Sequence, residues 1–174
     1  MRRPVTRLLV AGLFVALWMP VAAASVIDGA TAAQWRPCTG WVSRPPSQYG
    51  VTAEGQSLVF RAEGAGTEMP WIINLDRLGV SGDERYLLVR YRGRGLDTRP
   101  SIYFLHGEEG THGGRAYAMA DELQPDGQWH TLAVDLLAVQ PQENTHNLAL
   151  KVFVDAGGSA RLEVEKLWFS NDLP

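Results

Sequence analysis

Apolar residues recur at every second position through most of this chain, the spacing that sends alternate side chains to opposite faces of an extended strand. The clearest case is 85–92, where Leu87, Val89 and Tyr91 point one way and Leu88, Arg90 and Arg92 the other. In 58–62, Leu58, Phe60 and Ala62 alternate with Val59 and Arg61, and Glu63-Gly64-Ala65-Gly66 closes the strand. Residues 126–136 open on Asp126-Gly127, which tolerates the positive φ of a tight turn, and continue with Leu132, Val134 and Leu136 against Thr131, Ala133 and Asp135. In 147–154, Leu148, Leu150, Val152 and Val154 form the apolar set. Shorter strands are predicted at 71–75, 101–106 and 115–120; in the last, Arg115, Tyr117 and Met119 alternate with three alanines. Ala156-Gly157-Gly158-Ser159 reads as a hairpin turn into 160–170, where the run Leu167-Trp168-Phe169 breaks the alternation and predicts a bulge near Lys166.

No segment sustains a 3.6-residue period, so long helices are not expected. Strands separated by turn residues at this spacing predict an all-β sandwich of about eight or nine antiparallel strands. Residues 25–50 fit the pattern poorly: 28–35 reads as a short helix or turn, 41–43 as a short edge strand, and Arg44-Pro45-Pro46 cannot continue a central strand.

Residues 1–24 read as a secretory signal peptide, with a basic start at Arg2, Arg3 and Arg7, an apolar run over 8–19, and the small residues Ala22-Ala23-Ala24 at the cleavage site. The apolar run is shorter than the roughly 20 residues a spanning helix needs. The predicted organisation is therefore a signal peptide at 1–24, an irregular segment at 25–50 and one β-sandwich domain at 51–174. The destination is the periplasm or the cell exterior, and 14 arginines against two lysines fit a GC-rich bacterial coding sequence.

Taking Arg2, Arg3 and Arg7 from the 16 basic residues leaves 13 against 19 acidic ones, a mature net charge near −6. Such a balance argues against nucleic acid as a partner. The single cysteine, Cys38, excludes an internal disulfide and reads as a buried, unreactive thiol or as a site of intermolecular pairing.

The Gly127-Gln128-Trp129-His130-Thr131 turn and strand, followed by a short hydrophobic strand and a C-terminal strand pair, is similar to the jelly-roll domains of galactose-binding-like carbohydrate-binding modules. The resemblance covers most of the chain after residue 50 and rests on a pattern of strands. It implies a single jelly roll that recognises carbohydrate without catalysis, on one sheet face or the loops at one edge. Sugar C–H faces stack on aromatic rings there, and each buried hydroxyl needs a polar partner.

With the core faces assigned as above, the opposite face collects Arg90, Arg92, Tyr103, Arg115, Tyr117, Lys151 and Phe153. Cations among aromatic rings on a negatively charged protein point to an acidic polysaccharide. Trp129 reads as a cap on one end of the core, and Trp71 and Trp168 as core. Trp35 and Trp41 are the candidates for an exposed platform. The candidate ligand-binding set is thus Trp35, Trp41, Arg90, Tyr103, Arg115, Tyr117 and Lys151.

Many modules of the resembled type carry one structural calcium ion; no Asp-rich loop marks it here, and Lys166 stands where a carboxylate is common, so no cofactor is assigned. His106, Glu108, Glu109 and His112 share one loop, but their spacing matches no zinc motif. The chain lacks a Gly-x-Ser-x-Gly elbow and a His-Glu-x-x-His pair. The alternatives are an envelope protein-interaction or assembly domain without sugar specificity, and a small glycoside hydrolase or polysaccharide lyase built on converging carboxylates.

Overall fold

The computed structural model describes residues 26–78, 84–106, 117–120, 123–139 and 145–174, so the expected signal peptide lies outside the described residues. The strands, in chain order, are β1 (Val26–Ile27), β2 (Arg36–Pro37), β3 (Gln48–Glu54), β4 (Ser57–Glu63), β5 (Glu68–Asn74), β6 (Tyr86–Arg94), β7 (Ile102–His106), β8 (Tyr117–Ala120), β9 (His130–Asp135), β10 (Thr145–Phe153) and β11 (Ser159–Ser170). Three 3-10 turns, Gly29–Gln34, Thr39–Trp41 and Asp76–Leu78, and the short helix α1 (Leu136–Val139) complete the described elements. No helix among the described residues is long and apolar enough to cross a membrane.

Two antiparallel sheets form the sandwich. Sheet A runs β3-β4-β11-β6-β9, and β1 lies beside the far half of β11; sheet B runs β2-β5-β10-β7-β8. Between them lies one apolar layer in which Leu58, Phe60, Leu87, Val89, Leu162 and Leu167 of sheet A meet Trp71, Ile73, Ile102, Phe104, Leu148 and Leu150 of sheet B. The period-two readings of β4, β6 and β10 thus identify the buried face of each strand.

The turn before β9 forms as the Asp-Gly pair demands. Gly127 sits at φ 74° and its N–H donates to the Gly93 carbonyl at 2.8 Å. The Asp126 carboxylate accepts from the Gln128 N–H at 2.8 Å and bonds His130 Nε2 at 2.9 Å. In β11 the pairing with β6 slips between Val164 and Lys166, leaving Glu165 as the extra residue of a bulge. The bulge switches the inward phase from Ala160, Leu162 and Val164 to Leu167 and Phe169.

Three local expectations are corrected. The Ala156–Ser159 stretch is not a hairpin turn: it carries the chain from β10 in sheet B to β11 in sheet A, because each strand finds its apolar partners in a different layer. Residues 41–43 are not an edge strand; a 3-10 turn covers Thr39–Trp41, and the edge of sheet B is β2, paired to Ile72 and Trp71 of β5. The segment 25–50 is also part of the sandwich, since β1 joins sheet A, β2 joins sheet B, and β3 begins at Gln48. The two-residue strands β1 and β2 account for the excess over the expected eight or nine strands.

Candidate functional site

Because there are two sheets, there are two outward faces, and the sequence-derived candidates divide between them. On β7 and β10 the positions between core residues are Tyr103, Leu105, Ala149, Lys151 and Phe153, all of sheet B. On β6 they are Leu88, Arg90, Arg92 and Arg94, on sheet A. The expectation of one cationic and aromatic face is therefore corrected: Arg90 and Arg92 lie across the sandwich from Tyr103 and Lys151.

The outer face of sheet B carries a small apolar floor of Ile72, Leu105 and Ala149, on which Cys38, Trp41 and Tyr103 pack half-buried. The 3-10 turn after β2 lays Trp41 over this floor; the Cys38 N–H, at its start, donates to the Pro70 carbonyl of β5 at 3.0 Å. The Trp41 and Tyr103 rings meet edge to face, with centroids 5.0 Å apart and planes at 80°. The Tyr103 hydroxyl donates to the Pro100 carbonyl at 2.6 Å, which fixes the ring. Burial and, secondarily, the Glu68 carboxylate push that phenol above its ordinary pKa, so it stays a neutral donor and acceptor.

Lys151 Nζ stands 5.0 Å from the centroids of both Trp41 and Phe153 and 3.1 Å from Glu68 Oε2. Beside it, the Arg99 guanidinium lies 5.3 Å from the Phe153 centroid and pairs with Asp97 at 2.9 Å. The result is an L-shaped aromatic ledge rimmed by two ion pairs. One ring can lie under a flat apolar ligand face while the perpendicular ring bounds it, and the paired ions offer donors and acceptors to hydroxyl groups.

Of the candidate set, Trp41, Tyr103 and Lys151 come together. Trp35 does not: it is 4% exposed, packs edge-on against Phe60 at 5.1 Å, and belongs to the core. Arg90 is on the other sheet, near Trp129 and 3.6 Å from Glu165. Arg115 lies outside the described residues, as do Glu108, Glu109 and His112. The backbone of Tyr117 is opposite Phe104 in β7. Glu68, Asp97 and Arg99 were not anticipated, since no pattern in sequence ties them to β10; Phe153 stood on the expected face but outside the candidate set.

Two other tryptophans also differ from expectation. Trp129 does not cap the core but lies half-buried with the guanidinium groups of Arg92 and Arg90 at 4.8 and 5.7 Å from its ring. Trp168, between the core residues Leu167 and Phe169, takes the opposite face, with Lys166 Nζ 4.4 Å from its ring; Trp71 is core. Lys166 thus lies on an aromatic ring where a calcium-binding carboxylate would be needed. Among the described residues no three His, Cys, Asp or Glu side chains converge to hold a metal ion. Burial raises the Cys38 thiol pKa, which keeps it a poor nucleophile.

No protein-family profile matches the chain. No curated protein matches it in sequence. Solved structures match it in fold. A family 29 carbohydrate-binding module from Piromyces equi superimposes with a TM-score of 0.50 at 9% identity, over 85% of this chain and 91% of that one. The CBM22-1 xylan-binding domain of Paenibacillus barcinonensis Xyn10C gives 0.48 at 16% identity, over 80% and 87%. The chain is a β-sandwich of the kind found in carbohydrate-binding modules.

Proposed function

We propose that this protein is a non-catalytic carbohydrate-recognition module whose glycan lies across the outer face of sheet B, on the Trp41–Tyr103 ledge. The observation that carries the reading is the half-exposed perpendicular ring pair on a sheet face, with Lys151 between two rings and its partner Glu68. A pyranose has an apolar C–H face for one ring and equatorial hydroxyls for the ions at the rim. The shared sandwich with a carbohydrate-binding module supports the same reading.

An acidic polymer was expected from the sequence, but such a preference needs free cations. On this face Lys151 is paired with Glu68 and Arg99 with Asp97, which favours a neutral glycan. The composition of 1–24 supports an exported protein that meets its glycan in the periplasm or outside the cell. The envelope-partner alternative would draw on an exposed apolar patch; the large exposed apolar side chains among the described residues, Val26, Tyr49, Leu137 and Leu173, belong to four separate segments.

The test is tryptophan fluorescence of the protein titrated with neutral and uronic-acid polysaccharides, alongside Trp41→Ala. A saturable shift with a neutral polymer, weakened at least about tenfold in Trp41→Ala at unchanged thermal stability, is expected. A flat response to every neutral polymer, or a neutral-polymer response that Trp41→Ala leaves intact, refutes the reading.

A further inference from the structure

The outer face of sheet A holds an arrangement that the fold itself does not explain. The registers of β4, β11 and β6 put Arg61 opposite Arg161, and Arg161 opposite Arg94, so three guanidinium groups form one cross-strand row. Like charges directly opposed in an antiparallel sheet are destabilising. Two carboxylates offset part of this. Glu54 takes Arg161 at 2.6 Å and also pairs with Arg61. Glu163, buried, takes Arg92 at 2.9 Å and Arg161 at 3.1 Å. Arg94 is exposed and has no ion pair among the described residues.

Arg92, Arg94, Arg161 and Glu163 together line a depression of about 120 Å³, three cations around one carboxylate. Trp129, 4.8 Å from the Arg92 guanidinium, holds that cation on the face. At its other end the row continues to Gly50, opposite Arg61, where a side chain would meet nothing within 4 Å. There a second depression, of about 220 Å³, is lined by Gln48, Tyr49, Thr52, Arg61 and Glu63. A basic pocket thus adjoins an open shelf over Gly50, rimmed by the outward side chains of Gln48, Thr52, Arg61 and Glu63.

We propose that this face is a second glycan site that reads an oxyanion carried on a sugar, either a uronate carboxylate or a sulfate ester. The anion sits among Arg92, Arg94 and Arg161, where it completes the neutralisation that Glu54 and Glu163 leave unfinished, and the adjoining sugar occupies the open shelf over Gly50. Guanidinium groups suit both anions through paired N–H donors. The nearby carboxylates Glu63, Glu165 and Asp126 face this surface and set its selectivity against densely charged polymers. The site lies across the sandwich from the Trp41 ledge and does not rest on that reading.

Calorimetric titration of the full chain with an oligogalacturonide, a sulfated oligosaccharide, a neutral oligosaccharide and inorganic sulfate tests it. Binding of one of the two acidic sugars is expected, weakened at least about tenfold by Arg94→Gln and unaffected by Trp41→Ala. Arg94 is exposed, so its variant should keep the wild-type melting temperature, which makes a loss of binding a statement about the site. The two acidic sugars against each other identify the anion. No binding of either, equal binding in Arg94→Gln, or inorganic sulfate binding as tightly as both sugars would overturn the proposal.

Discussion

Trp35 and Trp41 share one short segment yet have opposite fates. The Trp35 ring fills the core against Phe60, and its indole N–H, buried, finds no acceptor. Trp35→Ala should therefore cost about 3–5 kcal/mol, the range for removing a large buried aromatic. Trp35→Phe gives up volume but also relieves an orphaned donor, so it should stay within about 1 kcal/mol of wild type. Thermal or denaturant unfolding of the pair checks this, and a Trp35→Ala variant as stable as wild type would show the ring is not structural. The sequence could not separate the two tryptophans, because neither sits in a periodic stretch. What decides is that the 3-10 turn at Gly29–Gln34 leads Trp35 under β4, while the turn at Thr39–Trp41 lays Trp41 on the outside of β5.

At the level of the element, alternation revealed which side of β4, β6 and β10 is buried, since that depends only on neighbours along one strand. Membership of a sheet depends on partners far off in sequence, and no residue of β6 announces that it pairs with β11 and β9 while β7 pairs with β10 and β8. The sequence therefore yields the outward-facing residues Arg90, Tyr103 and Lys151 correctly but merges two faces into one. β3 escaped notice for a related reason: as an exposed edge strand it presents little apolar surface to betray a period. The bulge was legible because it interrupts a period within one strand, and it carries a prediction. Deleting Glu165 would remove the extra residue and make the pairing with β6 continuous, with Leu167 and Phe169 still facing the core and Lys166 and Trp168 still outward. That variant should keep cooperative thermal unfolding and its near-ultraviolet circular dichroism; loss of either would mean that the strand needs the local twist of the bulge and not only the phase it sets.

At the scale of the whole molecule, charge on sheet A makes stability depend on pH. Bonds from Arg161 and then Arg61 hold the Glu54 carboxyl down to about 2, against an ordinary value of 4.5. A carboxyl depressed by folding contributes stability that is present in full above its ordinary value and is lost as pH falls through the folded one. The melting temperature should therefore fall between about pH 4.5 and 2, and protonating Glu54 also leaves Arg61 facing Arg161 with only Glu163 to offset the pair. Glu54→Gln should remove its share of that slope while lowering the melting temperature at neutral pH; an unchanged acid limb in the variant would show that the cluster contributes nothing.

β11 comes last in chain order among the eleven strands of the described residues, yet it lies at the middle of sheet A, flanked by β4 and β1 on one side and β6 on the other. Until it arrives, the rest of that sheet is two paired fragments, β3-β4 and β6-β9, and the single strand β1, with no ladder to join them. Closing the sheet brings together segments that were far apart along the chain, the kind of pairing that slows the search for the native state. During synthesis, then, sheet A cannot be completed until its final strand has emerged.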